Sequence, residues 1–247
     1  MTLDGTLLLE EIVQAKEHLR LQYDELFPAL CNDHRDTFPP ELYTWEQFLW
    51  ACELWYSNSM KIMFSDGKLR TCLIPIAGFL NHSTSPHILH YGKVDCTTNT
   101  IRFPLSRPCS TGEQCFLSYG NFSSSHLLTF YGFLPRLENP YDVIPLDIDT
   151  TMDEGFENAE IAPDWTSHMT QENLEIELEI LGDLCSTFEA MMESLGDAET
   201  DDQDNVRWDV KLAVEFTNLQ RRIVSSIVNS CKAGCELLEC ELQKCMP

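Results

Sequence analysis

Between Leu69 and Tyr119 the apolar residues leave the helical spacing that holds on both sides of that stretch. This change of period constrains the fold more than any other feature of the chain. Inside the stretch, "LRTCLIPI", "HILHYGKV", "TIRFPL" and "EQCFLSY" are short apolar or alternating runs. Gly, Pro, Asn and Ser separate them, which is the pattern of short strands joined by turns. "STGEQ", residues 110–114, is the turn before the last run.

Upstream, residues 6–27 read as an amphipathic helix with Leu8, Leu9, Ile12, Val13 and Leu19 on one stripe. The Pro- and Asp-rich "LFPALCNDHRDTFPPELY" follows as a connection. Thr44 is then an N-cap with Gln47 at the capping-box position, opening a helix that runs to about Met63. Its stripe includes Phe48, Leu49, Cys52 and Trp55.

Downstream, "SSHLLTFYGF" predicts one or two helical turns ending near Gly132. Pro135, Pro140 and Pro145 keep the next segment irregular. Leu174, Leu178, Leu181, Leu184, Cys185, Phe188, Met191, Met192 and Leu195 then recur at helical spacing, and "GDAETDDQDN" reads as a solvated loop. Leu212, Phe216, Leu219, Ile223 and Ile227 mark a last helix that continues through "CELLECELQ". Strands segregated from helices argue for an α+β fold rather than a doubly wound sheet. The expected organisation is a helical part over 1–64, a short-strand core over 65–138 and a helical part with an acidic segment over 139–247.

The formal charge of −24 over 247 residues excludes general nucleic-acid binding, which needs Lys and Arg to displace phosphate counterions. It suits a basic, lysine-bearing protein partner. Residues 151–204 alone hold 17 acids and no Lys or Arg. No apolar run approaches the ~20 residues that span a bilayer. The N-terminus is acidic, has no basic region ahead of its apolar residues and lacks the look of a transit peptide. Eleven scattered Cys with no secretory signal point to a reducing, intracellular setting. Cys231, Cys235, Cys240 and Cys245 cluster without any CxxC spacing and read as thiols on a helix; no metal is expected.

Three motifs carry chemistry. Asn81-His82 ends an apolar run; by itself such a pair is a turn satisfying its own backbone. Tyr119 closes "GEQCFLSYG" and reads as a half-buried strand tyrosine with a hydrogen-bonded hydroxyl. Tyr131 and Phe133 in "SSSHLLTFYGF" read as aromatic core.

Taken together, "PIAGFLNHS" and, about thirty residues on, "GEQCFLSYGNFSSSHLLTFYGF" resemble the C-terminal half of a SET domain. The subgroup is that of the Rubisco large-subunit lysine methyltransferase. It shows P-x-x-D-x-x-N-H followed by G-E-Q-x-x-x-x-Y-G-x-x-S-N-x-x-L-L-x-x-Y-G-F. The resemblance implies a helical insertion, then the C-terminal SET core, then an all-helical substrate-binding domain. It implies transfer of a methyl group from S-adenosyl-L-methionine to a protein lysine. Tyr119 matches the catalytic tyrosine. Asn81 and His82 match the pair that holds the cofactor's methionine end, and Tyr131 and Phe133 match the channel walls. Three positions depart from the pattern: Gly78 stands where the family has Asp, Asn58 where it has Arg, and Ser125 where it has Asn. The family's Gly-x-Gly strand has no counterpart ahead of Leu8, so a truncated chain is the expectation. A SET-like binding module without cofactor affinity and a helical adaptor for a basic partner are the alternatives.

Overall fold

The structure, a computed structural model, describes residues 3, 6–144, 170–196 and 207–245. Apart from Gly196, the expected loop at 196–205 lies outside them, as do Pro145 and residues 151–169 of the acidic segment. The chain divides into two compact units, 7–142 and 143–247 with 1–6. Among the described residues helices predominate, with one two-stranded sheet.

In the first unit, helix α1 (Leu7–Asp33) passes through Pro28 instead of stopping at residue 27. Pro28 costs a backbone N–H bond. The aromatic packing around it favours continuation: Phe27 stacks on Tyr43 at 5.6 Å and Tyr23 on Phe27 at 5.5 Å. The Tyr23 hydroxyl also donates to the Tyr43 carbonyl at 2.7 Å. On the expected stripe Leu8 is buried, but Val13 is 45% exposed.

Helix α2 (Trp45–Asn58) starts as its sequence dictates, with the Thr44 hydroxyl accepting from the Gln47 N–H. It ends five residues before Met63. Strand β1 (Ser59–Met63) pairs antiparallel with β2 (Leu69–Leu73), in a register that puts Ser59 opposite Leu73 and Met63 opposite Leu69. The "SDG" at 65–67 decides this. Gly67 takes φ +76°, its N–H donates to Phe64, and Phe64 N–H donates back to Lys68. Five apolar-rich residues feeding a tight turn gain more from a ladder than from one further helical turn.

Past β2 the expected strands do not form a regular sheet. The backbone is extended and joined by single bridges, His82–Leu117, Ile88–Leu117 and Asp95–Thr100. Side chains take some of the N–H groups that a neighbouring strand would otherwise accept. Helix α3 (Ser124–Tyr131) closes the unit. Ser123 caps it, and Gly132 ends it in the left-handed region at φ +73°. The Asp142 carboxylate accepts from the Ser124 N–H at 2.6 Å and the Ser124 hydroxyl at 2.9 Å. Asn139 donates to Phe122 C=O at 2.9 Å, so this buried polar cluster anchors the helix start.

The second unit is built on α4 (Gln171–Ser194) and α5 (Trp208–Cys245). Its core holds Cys185, Phe188 and Leu195 of the α4 segment with Val224, Val228 and Cys231 of α5. Gly234 allows close approach: a Cβ there would lie 2.5 Å from Leu181 Cδ2. Cys231 is buried and Cys240 exposed, as their helical spacing requires. No helix among the described residues is long and apolar enough to cross a membrane.

Candidate functional site

Leu117 is the hub of the site. It is buried and bridges in parallel to both His82 and Ile88. Its N–H donates to Asn81 C=O at 2.8 Å, and its carbonyl accepts from Ser83 N–H at 3.3 Å. Two residues on, Tyr119 is gripped at both ends by the same segment. Its backbone N–H donates to His82 Nδ1 at 3.1 Å, and its hydroxyl donates to Leu80 C=O at 2.8 Å. The first bond fixes the His82 tautomer, with Nδ1 as acceptor. Thus the Asn-His and Tyr-Gly motifs, 37 residues apart, are one structural element.

Gly120 follows with φ +137°, and a Cβ there would meet the Phe122 ring at 2.9 Å. That turn brings α3 back over Tyr119. Tyr131, its last residue, packs on Tyr119 with ring centroids 4.9 Å apart. Phe133, past the Gly132 turn, reaches Tyr119 edge-on at 6.4 Å and His82 at 6.1 Å.

Beside this cluster lies a cleft of about 520 Å³, within the usual range for ligand sites. Tyr91, Tyr119, Phe122, His126, Phe130 and Tyr131 form its aromatic side; Ser57, Asn58, Lys61 and Gly78 supply another side. Of the residues singled out in the sequence, Tyr119 and Tyr131 line the cleft. His82 and Phe133 contact Tyr119 from outside it. The Asn81 side chain is exposed, and its backbone carbonyl does the work of holding Leu117. Lys61 and Tyr91 escaped the sequence reading. Lys61 is legible only once 59–63 is known to be a strand.

Burial raises the Tyr119 phenol pKa, with Tyr131 adding to it, and likewise raises Tyr131, with Tyr91 adding. Burial also lowers His82 and His126. The cleft is therefore walled by neutral phenols and, at neutral pH, the neutral imidazole of His126, with neutral His82 behind Tyr119. The two departures that concern charge are neighbours: a Cβ at Gly78 would lie 3.4 Å from Asn58 Oδ1. Where the family pattern has an acid and a base, this chain has neither.

The fold is similar to that of Rubisco LSMT. The chain is similar over nearly its whole length to a crystal structure of the SET domain of LSMT bound to lysine and AdoHcy, with TM-score 0.59 and 17% identity over 98% of this chain and 67% of that one. Rubisco LSMT bound to AdoMet matches with TM-score 0.59 and 18% identity over 96% of this chain and 66% of that one. The form bound to MeLysine and AdoHcy gives 0.62 and 16% over the same shares. The chain thus spans about two thirds of those structures. An uncharacterized protein of Schizosaccharomyces pombe is 31% identical over 139 residues, covering 53% of this chain and 28% of its own length. No protein-family model matches.

Proposed function

We propose that this chain is part of an S-adenosylmethionine-dependent protein-lysine N-methyltransferase of the SET type. In this reading residues 1–64 are the helical insertion, 65–138 the C-terminal half of the SET core and 139–247 the substrate-binding helical domain. The observation that carries it is Tyr119, clamped between Leu80 and His82 beside an aromatic cleft. The likeness to structures of Rubisco LSMT with lysine and AdoHcy supports it.

The residues present suit the cofactor in size and in aromatic lining. They also offer one cation for its carboxylate, Lys61, where the family's Arg is replaced by Asn58. Asn81 and His82 would hold its methionine end by resemblance. When bound, S-adenosylmethionine supplies an electrophilic methyl on a sulfonium. The chain's own residues do the rest. The half-buried phenols of Tyr119 and Tyr131, the neutral imidazole of His126 and the Lys61 cation disfavour an ammonium, so an entering lysine releases its proton to solvent. The Tyr119 hydroxyl spends its hydrogen on Leu80 C=O, so its lone pairs are left to accept from the amine and orient it. Tyr131 and Phe133 brace that ring.

Calorimetry with S-adenosylmethionine and S-adenosylhomocysteine tests this. Binding is expected, and Tyr119→Phe is expected to retain it while losing methyl transfer to lysine-containing protein. Absence of binding by either compound, in a chain extended upstream to include the Gly-x-Gly strand, rejects the enzyme reading. It would leave the second one, a SET-like protein-binding module, which the neutral Gly78/Asn58 pair favours.

A further inference from the structure

Away from the cleft, three loop segments meet at His87, which is completely buried. A ring nitrogen of His87 and the sulfurs of Cys109 and Cys115 lie within 4.8 Å of one another. We propose that this cluster is a binding site for zinc or a similar thiophilic divalent metal. The site goes beyond the methyltransferase reading and does not depend on it.

The donor set is right for zinc, which takes imidazole and thiolate together. Metal–ligand lengths of about 2.0–2.3 Å put tetrahedral ligand atoms roughly 3.5–3.8 Å apart. The cluster, whose ligand atoms lie within 4.8 Å of one another, therefore needs to close by at most about 1.3 Å. The surroundings already prepare the histidine. Its Nε2 lies 3.0 Å from the Glu113 carboxylate, and the other Glu113 oxygen accepts from Ser110 N–H at 3.0 Å. A metal-bound histidine almost always donates its second ring N–H to such a partner. With Nε2–H committed to Glu113, the lone pair left for a metal is that of Nδ1.

Two groups now face that lone pair. Phe116 N–H donates to it at 3.1 Å, and Arg107 Nη2 stands at 3.4 Å. A metal that takes this lone pair breaks both contacts. Phe116 N–H, adjacent to Cys115 in sequence, then faces a thiolate. Arg107 keeps its bonds to Ser85 C=O at 3.0 Å and Pro86 C=O at 3.2 Å. Two thiolates and one divalent ion sum to zero, so the guanidinium is not opposed. Binding releases two thiol protons to solvent. Both cysteines are half-buried, which gives the ion an entry path and leaves a fourth position to water.

The physical need is visible in the fold. Residues 74–119 are held by single bridges instead of a ladder, and a metal would tie segments 85–88, 107–110 and 113–116 together. Such a crosslink raises stability to the extent that the metal binds the folded chain more tightly than the unfolded one, and buried His87, distant in sequence from the two cysteines, is held near them only in the folded chain.

The test uses the full chain, reduced and stripped with a chelator, then titrated with Co²⁺ and Zn²⁺. One equivalent of Co²⁺ is expected to give thiolate charge-transfer bands and tetrahedral visible bands, both displaced by Zn²⁺. The double substitution Cys109→Ser/Cys115→Ser should abolish the charge-transfer band while far-UV circular dichroism stays unchanged. Glu113→Gln should weaken Zn²⁺ by about 10- to 100-fold. Bands that persist in the double variant would put the metal elsewhere among the eleven cysteines and overturn the proposal. So would their absence from the parent chain. A Cys109–Cys115 disulfide found by mass spectrometry in freshly isolated protein would replace it with a redox pair.

Discussion

Restoring charge at positions 58 and 78 tests the site most directly. The Cβ that Asp would add at Gly78 falls 3.4 Å from Asn58 Oδ1 and 4.0 Å from Asn58 Cβ. A carboxylate at 78 and a guanidinium at 58 would meet at about 4 Å. At that separation the attraction is roughly 1 kcal/mol in bulk water and roughly 4 kcal/mol at an effective dielectric constant of 20. Both positions are half-buried, and ordering two side chains takes back part of the gain. The expected coupling is therefore about 1–2 kcal/mol. Gly78→Asp, Asn58→Arg and the double variant should be compared with the parent by urea denaturation followed through Trp fluorescence. Each single substitution should be neutral or destabilising, and the double variant should recover most of the loss. Coupling below about 0.3 kcal/mol would mean that the two positions are not neighbours. The same proteins probe the cofactor. Asn58→Arg alone offers an uncompensated guanidinium to a carboxylate, so S-adenosylmethionine should bind about 10-fold tighter. Adding Gly78→Asp should reverse that gain. Equal affinity in all four proteins would exclude this end of the cleft as the carboxylate site.

Four further outcomes are expected. Lys61→Met should weaken S-adenosylmethionine binding about 10-fold with no change in melting temperature, as measured by calorimetry and thermal denaturation. Gly120→Ala should cost about 1–3 kcal/mol in a denaturation series, because it forces φ +137° on a residue with a Cβ and drives that Cβ into the Phe122 ring. Phe188→Ala should cost about 3–5 kcal/mol by emptying the α4–α5 core, read as an early far-UV melting step. Stability should also fall as pH drops below about 6.5. His82 and His126 have pKa values held down by burial, so the unfolded chain binds more protons there. Thermal denaturation at two pH values should show a smaller drop for His82→Gln.

Capping and turn chemistry were legible in the sequence because they act within a few residues. Thr44 with Gln47 placed the start of α2, and Gly132 placed the end of α3. The leucine and phenylalanine stripes of α4 and α5 were legible too, since a face buried along a helix must repeat at its period. Met60 to Met63 misled, because so short a stretch with three apolar residues around Lys61 suits a helix or a strand. Only the Asp66-Gly67 turn, and the partner strand it delivers, decides between them. Pro28 misled in the same way, since its neighbours' aromatic contacts lie outside any local window.

The sequence by itself determined the vocabulary of the site: an Asn-His pair, a Tyr-Gly turn, a second tyrosine and a phenylalanine, in an acidic chain without a membrane-spanning run. Tertiary structure alone decided what those residues touch. It made His82 the acceptor for Tyr119, set Lys61 and Tyr91 on the cleft, put Gly78 against Asn58 and gathered His87, Cys109 and Cys115. The reason is that hydrogen bonds and ligand geometry depend on separation in space, whereas sequence pattern reports only which face of a local element is apolar.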